Sequence, residues 1–235
     1  MVLAFFTFNM ALNIILASQS PRRRELLQLL GLPFRVMVAD ANEDSITHPD
    51  PATNVVQTAY LKSSIIASQL IHSSISKGTF ILAADTTVAH DGVMLNKPAD
   101  ETAAWQMLTR LRNNQHEVHT GFVLLEPATG YEWQGVSTAV VTMRPYSDAE
   151  IQAYIASGDP FDKAGGYAIQ HPEFRPVAQL DGCYCTVMGL PICDLIVALQ
   201  QFQGISLAQF NRLDLTAVSR AHHHYSCPTL QTLMH

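Results

Sequence analysis

Short apolar runs alternate along the chain with stretches where apolar residues recur every three to four positions, a pattern that predicts interleaved strands and helices. Asn13–Ala17 is an apolar run of strand length. Ser20-Pro21 then opens a Leu-rich helix over 22–30, closed by Gly31: Ser accepts a backbone N–H as the capping residue, Pro fits the first helical position and Gly tolerates the left-handed exit. Residues 40–53, rich in Asp, Pro and Thr, read as a loop, and 55–72 as a second helix. Residues 80–84 are a second buried-strand run that ends at Asp85. Across 86–97, Asp91-Gly92 stands between two extended segments, the residue pair favoured in two-residue hairpin turns; that turn sets Lys97 opposite Thr86 and beside Asp85. Ala104, Met107, Leu108 and Leu111 keep helical spacing, and 118–125 and 136–143 read as strands of a meander. Ser147 and Glu150 form a capping box for a helix ending near Ser157, and Pro191 opens a last helix to Phe202.

No repeat, Gly/Ser linker or low-complexity tract divides this pattern. The expectation is one α/β domain over 13–202, a mixed twisted sheet with flanking helices, between extensions at 1–12 and 203–235. His222-His223-His224 in the second extension reads as a solvated tail, with metal capture by the three histidines in vitro as the alternative. A length of 235 residues suffices for a sizeable core, in one large domain or two lobes. Apolar residues at 48% with only 14% charged exclude disorder driven by low hydrophobicity. A net charge of -6 repels polyanions, so general nucleic-acid binding is not expected. The four cysteines include a C-x-C pair that matches neither a zinc ribbon nor a redox motif; reduced thiols in a cytoplasmic protein are expected. The apolar opening to Ala17 has no basic lead and no small-residue cleavage site, so it reads as an extension plus the first strand. No other stretch reaches about 18 unbroken apolar residues, so no membrane span is expected.

Three features point to chemistry. Ser18-Gln19-Ser20-Pro21-Arg22-Arg23-Arg24 places three arginines in a first helical turn, where the helix dipole disfavours each cation by roughly 0.3–1 kcal/mol. An anion docked there reverses the sign, and guanidinium forks suit phosphate; a solvated basic turn paired with Glu25 is the alternative. Asp85, at the end of an apolar run, is a candidate base or metal ligand, with Thr86 and Lys97 beside it; a turn or capping role is the alternative. Lys62 interrupts the apolar stripe of Val55, Ala59 and Ile66, a placement that snorkelling also explains. His116-Glu117-Val118-His119 is one residue short of a zinc-protease motif, and no Gly-rich phosphate loop is present.

The stretch Ile14-Ile15-Leu16-Ala17-Ser18-Gln19-Ser20-Pro21-Arg22-Arg23-Arg24-Glu25-Leu26-Leu27 resembles the signature of the Maf family of nucleoside triphosphate pyrophosphatases. Further segments agree in order: Glu43, Lys62, Ala84-Asp85-Thr86, Asn96-Lys97-Pro98, His119-Thr120-Gly121, Asp162-Lys163-Ala164-Gly165-Gly166-Tyr167-Ala168-Ile169-Gln170 and Met188-Gly189-Leu190-Pro191. The resemblance implies an inosine triphosphatase-like fold with two lobes around a cleft, and hydrolysis of a nucleoside triphosphate to monophosphate and pyrophosphate with a divalent cation, Mg²⁺ or Mn²⁺. Arg22, Thr86 and Gln170 look like the branch preferring dTTP and UTP, with modified pyrimidine nucleotides left open. Carried over from the family, Asp85, Glu43 and Lys62 are the catalytic residues, and Asp85 with Glu43 the metal ligands. Ser18, Arg22, Arg23, Thr86, Lys97, Lys163 and Gln170 bind substrate. A homodimer is left open. The alternative function is a nucleotide-binding regulator of cell division, a septum inhibitor with little or no turnover. His171-Pro172-Glu173-Phe174-Arg175-Pro176 replaces the Gly usual soon after Ile-Gln, which implies a reshaped loop near the base.

Overall fold

The computed structural model describes residues 12–71, 73, 75–201 and 213–234. Its strands are β1 (Asn13–Ala17), β2 (Phe34–Met37), β3 (Thr79–His90), β4 (Val93–Leu95), β5 (Gln115–Glu126), β6 (Tyr131–Met143) and β7 (Val177–Asp181). They form one mixed sheet in the order β2-β1-β3-β5-β6-β7, with β4 also pairing with β3. β1 runs parallel to β2 and β3, while β3–β5, β5–β6 and β6–β7 are antiparallel. This is the expected architecture of a mixed sheet with flanking helices.

The helices are α1 (Pro21–Gln28), α2 (Pro51–Gln69), α3 (Glu101–Leu111), α4 (Asp148–Ala156), α5 (Tyr184–Met188), α6 (Ile192–Gln201), α7 (Leu215–Ala221) and α8 (Pro228–Leu233). The strand pleat separates two cores. Ile15, Ala17, Ile81, Ala83 and Val123 pack with Ala59, Ile66 and Leu70 of the α2 region. The alternate residues Ile14, Leu16, Leu82, Ala84 and Phe122 face a larger core with Leu26, Leu27, Leu108 and Leu195. Burial on both faces is why β1 and the first half of β3 read as continuous apolar runs.

Local signals held where a cap or turn sets geometry. Ser20 accepts from the Arg23 N–H with Pro21 behind it, and Ser147 and Glu150 form the capping box of α4. The β3–β4 hairpin has the expected register, with Val88 opposite Leu95 and the Thr87 hydroxyl donating to the Asn96 amide oxygen at 3.3 Å. Its ladder stops at Leu95, two residues before Lys97. α2 starts earlier than expected, because Asp50 accepts from Thr53 N–H and Pro51 takes the first helical position, repeating the Ser20-Pro21 device.

Two expectations are corrected. Asp85 does not stand at a strand tip: β3 continues unbroken to His90, while its pairing with β1 stops at Leu82. The segment around His222 is not a solvated tail. His222 is buried, as are Val218, Cys227 and Leu230, and the last three join the larger core. His223 and His224 are exposed and lie against the rings of Tyr184 and Tyr225.

Candidate active site

β1 accompanies β3 to Leu82, and β4 joins the same edge only at Val88. Among the described residues no strand covers that edge between them. The opening lies beyond the carboxyl end of β1, where a neighbouring strand has stopped, the place where open α/β sheets hold ligands. Asp85, Thr86 and Thr87 occupy it. Successive residues point to opposite faces, so Asp85 looks toward α2 and Thr86 toward α1 and α5.

On the α2 face, Lys62 Nζ donates to Asp85 Oδ1 at 2.7 Å and lies 3.0 Å from Glu43 Oε1. The Lys62 side chain is 9% exposed, Asp85 16% and Glu43 49%, so one buried ammonium is shared by a nearly buried carboxylate and a half-open one. Gly121 makes this reach available. It sits directly opposite Asp85 on β5, and a Cβ there would come within 2.6 Å of Val56 N and 2.7 Å of Val55 C. Without a side chain at 121, the first turns of α2 settle on the sheet and carry Lys62 down to the carboxylate.

On the other face, Arg23 joins three segments. Its Nε donates to Gly189 O at 2.7 Å, one terminal nitrogen to Thr86 Oγ1 at 3.3 Å and the other to Ser18 Oγ at 3.4 Å. Burial lowers the pKa of this guanidinium, against the opposing pull of the Asp85 and Glu43 charges, and Arg22 lowers it further. It remains a cation, given how high arginine starts. Thr86 Oγ1 also lies 2.9 Å from Thr120 Oγ1, and the Thr120 hydroxyl donates to Thr186 O at 2.8 Å. Gly189, at φ +104°, ends α5 in a left-handed turn that aims its carbonyl at Arg23.

The remaining expected residues divide. Arg22 pairs with Asp162 at 2.9 Å. Lys163, nearly buried, donates to Asp162 at 2.6 Å and Asp159 at 2.9 Å. Burial alone would raise Asp162, but hydrogen bonds from Lys163 and the Arg22 charge outweigh it and hold its pKa below the usual carboxylate value. The Gly165 N–H donates to Asn96 O at 3.3 Å, which brings this loop beside Lys97. Lys97 and Gln170 are exposed, and Lys97 forms no ion pair among the described residues. The structure therefore joins Asp85, Lys62 and Glu43 in one cluster, Ser18, Arg23 and Thr86 in a second, and Arg22 with Lys163 in a third. Asp162, Thr120, Gly121 and Gly189 had no assigned role from the sequence, although each stands in a motif that carried the resemblance.

Comparison with known proteins defines the class first: residues 13–202 match the family described as Maf-like protein, and the chain belongs to that family. Similar proteins within it include several named dTTP/UTP pyrophosphatase. The one from Geotalea uraniireducens is 41% identical over 197 residues, covering 82% of this chain and 96% of that protein. Those from Salinibacter ruber and Syntrophotalea carbinolica are 43% and 37% identical, covering 76% and 85% of this chain and 85% and 89% of theirs.

Proposed function

We propose that this chain is a nucleoside triphosphate pyrophosphatase acting on dTTP and UTP, releasing the nucleoside monophosphate and pyrophosphate. The observation that carries the reading is the opening in the sheet beside Asp85, with Lys62 and Glu43 on one face and Arg23 on the other. The names of relatives that align over most of their length support it.

Lys62 engages Asp85 Oδ1 and so orients the carboxylate; no described residue bonds Oδ2, which is left to accept a proton from water. That water attacks the α-phosphorus. A P–O bond forms to the water oxygen, the bond from the α-phosphorus to the bridging oxygen breaks, its electron pair leaves with pyrophosphate, and the water proton passes to Asp85. Arg23, Arg22, Lys97 and Lys163 face charge that grows on the leaving group, the main demand of phosphoryl-type transfer. For Arg22 and Lys163 this means exchanging Asp162 for phosphate oxygens. Gln170 both donates and accepts, which suits the O4 and N3–H edge of thymine or uracil.

The donor set fits a divalent cation. Two carboxylates already converge on one positive charge, Lys62 Nζ, and hard oxygen ligands suit Mg²⁺ or Mn²⁺. Asp85 and Glu43 would hold such an ion, whose contribution is to neutralise phosphate charge and make water more acidic. Among the described residues no helix is long and apolar enough to cross a membrane.

Incubation with dTTP and Mn²⁺, followed by measurement of released pyrophosphate, tests the reading. Stoichiometric pyrophosphate and dTMP are expected. Saturable dTTP binding without release would replace the enzyme with a nucleotide-binding regulator.

A further inference from the structure

The described part of the chain beyond α6 packs back on the larger core, and at one place in that contact side chains with metal-binding chemistry converge. Cys183 caps the start of α5, Cys193 lies in α6, His222 follows α7 and Cys227 caps α8. Their four candidate ligand atoms all lie within 4.8 Å of one another, all four residues are buried, and none of the cysteines is in a disulfide. His222 Nε2 is 3.3 Å from Cys183 Sγ and 3.5 Å from Cys193 Sγ. Cys185, the remaining thiol, is 3.7 Å from the same nitrogen and lies outside the four-residue group.

Ordinary core packing accounts poorly for this arrangement. A neutral imidazole nitrogen can accept from one thiol only, so the other sulfurs gathered around it are left to weak contacts with one another and, for Cys227, with the Leu230 N–H. A central cation satisfies every member of the group. For tetrahedral zinc with ordinary Zn–S and Zn–N distances, sulfur and nitrogen ligands stand about 3.6 Å apart, close to the separations of His222 from Cys183 and Cys193. The other ring nitrogen gives a second observation. His222 Nδ1 lies 2.8 Å from Val218 O, so Nδ1–H donates to that carbonyl and the Nε2 lone pair is turned toward the sulfurs. Metal-bound histidines are held by this kind of outer hydrogen bond.

We propose that Cys183, Cys193, His222 and Cys227 bind a structural zinc ion that fastens the C-terminal segment to the domain. Three thiolates and an imidazole close the coordination shell with no open position, so the site is structural and distinct from the oxygen-rich Asp85 centre. On the domain side the ligand Cys183 stands at the start of α5, which serves the active site from behind: it offers Thr186 O to Thr120 and ends at Gly189, whose carbonyl holds Arg23.

Elemental analysis of the full-length protein, purified in zinc-supplemented medium and dialysed, should find about one zinc per chain. Asp85→Asn and Cys185→Ser should retain it. Cys227→Ser and His222→Ala should reduce it at least tenfold and lower the melting temperature. Because those variants can fail to fold, the wild-type protein supplies an independent reading: stripped of metal under reducing conditions and titrated with Co²⁺, it should develop a thiolate-to-cobalt charge-transfer band and intense visible bands of tetrahedral cobalt, saturating at one equivalent. Zinc-free wild-type protein with no such bands, or zinc that survives both ligand substitutions in folded protein, would overturn the site.

Discussion

Gly121 lies directly across the β3–β5 ladder from Asp85, and the backbone of α2 fills the space where its side chain would be. The residue that faces the carboxylate from the next strand thus decides how near Lys62 can come. Gly121→Ala would push a Cβ to 2.6–2.8 Å from Val55 and Val56 backbone atoms, which cannot yield as a flexible side chain can. We expect a stability loss of about 1–3 kcal/mol, the range for overpacked cores, together with a fall in kcat as Lys62 is lifted from Asp85. Urea denaturation and steady-state kinetics check both; a variant with wild-type stability and kcat would remove the close approach from the account.

Asp85 and Lys62 should separate into different phenotypes. Asp85→Asn keeps the shape and leaves Lys62 paired with Glu43, so dTTP binding should persist while kcat falls by about 10²–10⁴, the usual contribution of a positioned base. Lys62→Met leaves Asp85, only 16% exposed, without its cation. Its cost should appear in stability, about 1–3 kcal/mol after allowing for the partial exposure, as well as in turnover. Binding by calorimetry and denaturation curves distinguish the two. Near-normal turnover in Asp85→Asn would end its assignment as proton acceptor.

Arg23 tests geometry at constant charge. Its fork reaches Gly189, Thr86 and Ser18 at once, and a lysine ammonium cannot span those three directions. Arg23→Lys should therefore lose about 1–3 kcal/mol of stability as one or two of those bonds are left unmade, and should raise the KM for dTTP about tenfold. Unchanged KM and melting temperature would mean that positive charge alone suffices there.

Much of this site was legible in the chain because short-range chemistry determines it. Ser20-Pro21 dictates a helix start, Asp91-Gly92 a hairpin register, and Ser147 with Glu150 a capping box. The motifs named Asp85, Lys62, Glu43, Arg23 and Thr86, which the fold gathers at the opening, and also Lys97 and Gln170, which it leaves exposed outside those clusters. What could not be read depends on distant partners. The opening at Asp85 exists because β1 stops at Ala17, a fact about the neighbouring strand rather than about residues 79–90. β2, with Arg35 in its middle, and β7, a largely exposed edge strand, lack a continuous apolar run. The buried cluster at His222 draws on residues from α5 to α8, spacings outside any short motif, so its histidine looked like part of a polar tail.

His116 makes stability pH-dependent in a window that can be stated. Its Nε2 is 2.7 Å from the Tyr167 hydroxyl, while Nδ1 is buried without a partner, so a second proton on the ring would have no acceptor. Burial, with a smaller push from His90, holds its pKa down at about 3 against an ordinary 6.5. The native protein thus keeps this ring neutral through a range in which the unfolded chain protonates it. Below about pH 6.5 the unfolded state binds one more proton at this position than the native state, so stability falls as pH drops, by up to about 1.4 kcal/mol per pH unit, until the native ring itself titrates near pH 3. His116→Gln keeps a polar group toward Tyr167 but removes the titration. Urea denaturation of both proteins between pH 6.5 and pH 4 should show a shallower decline for the variant, the difference approaching one proton. Parallel declines would show that His116 is protonated in the folded protein at these pH values.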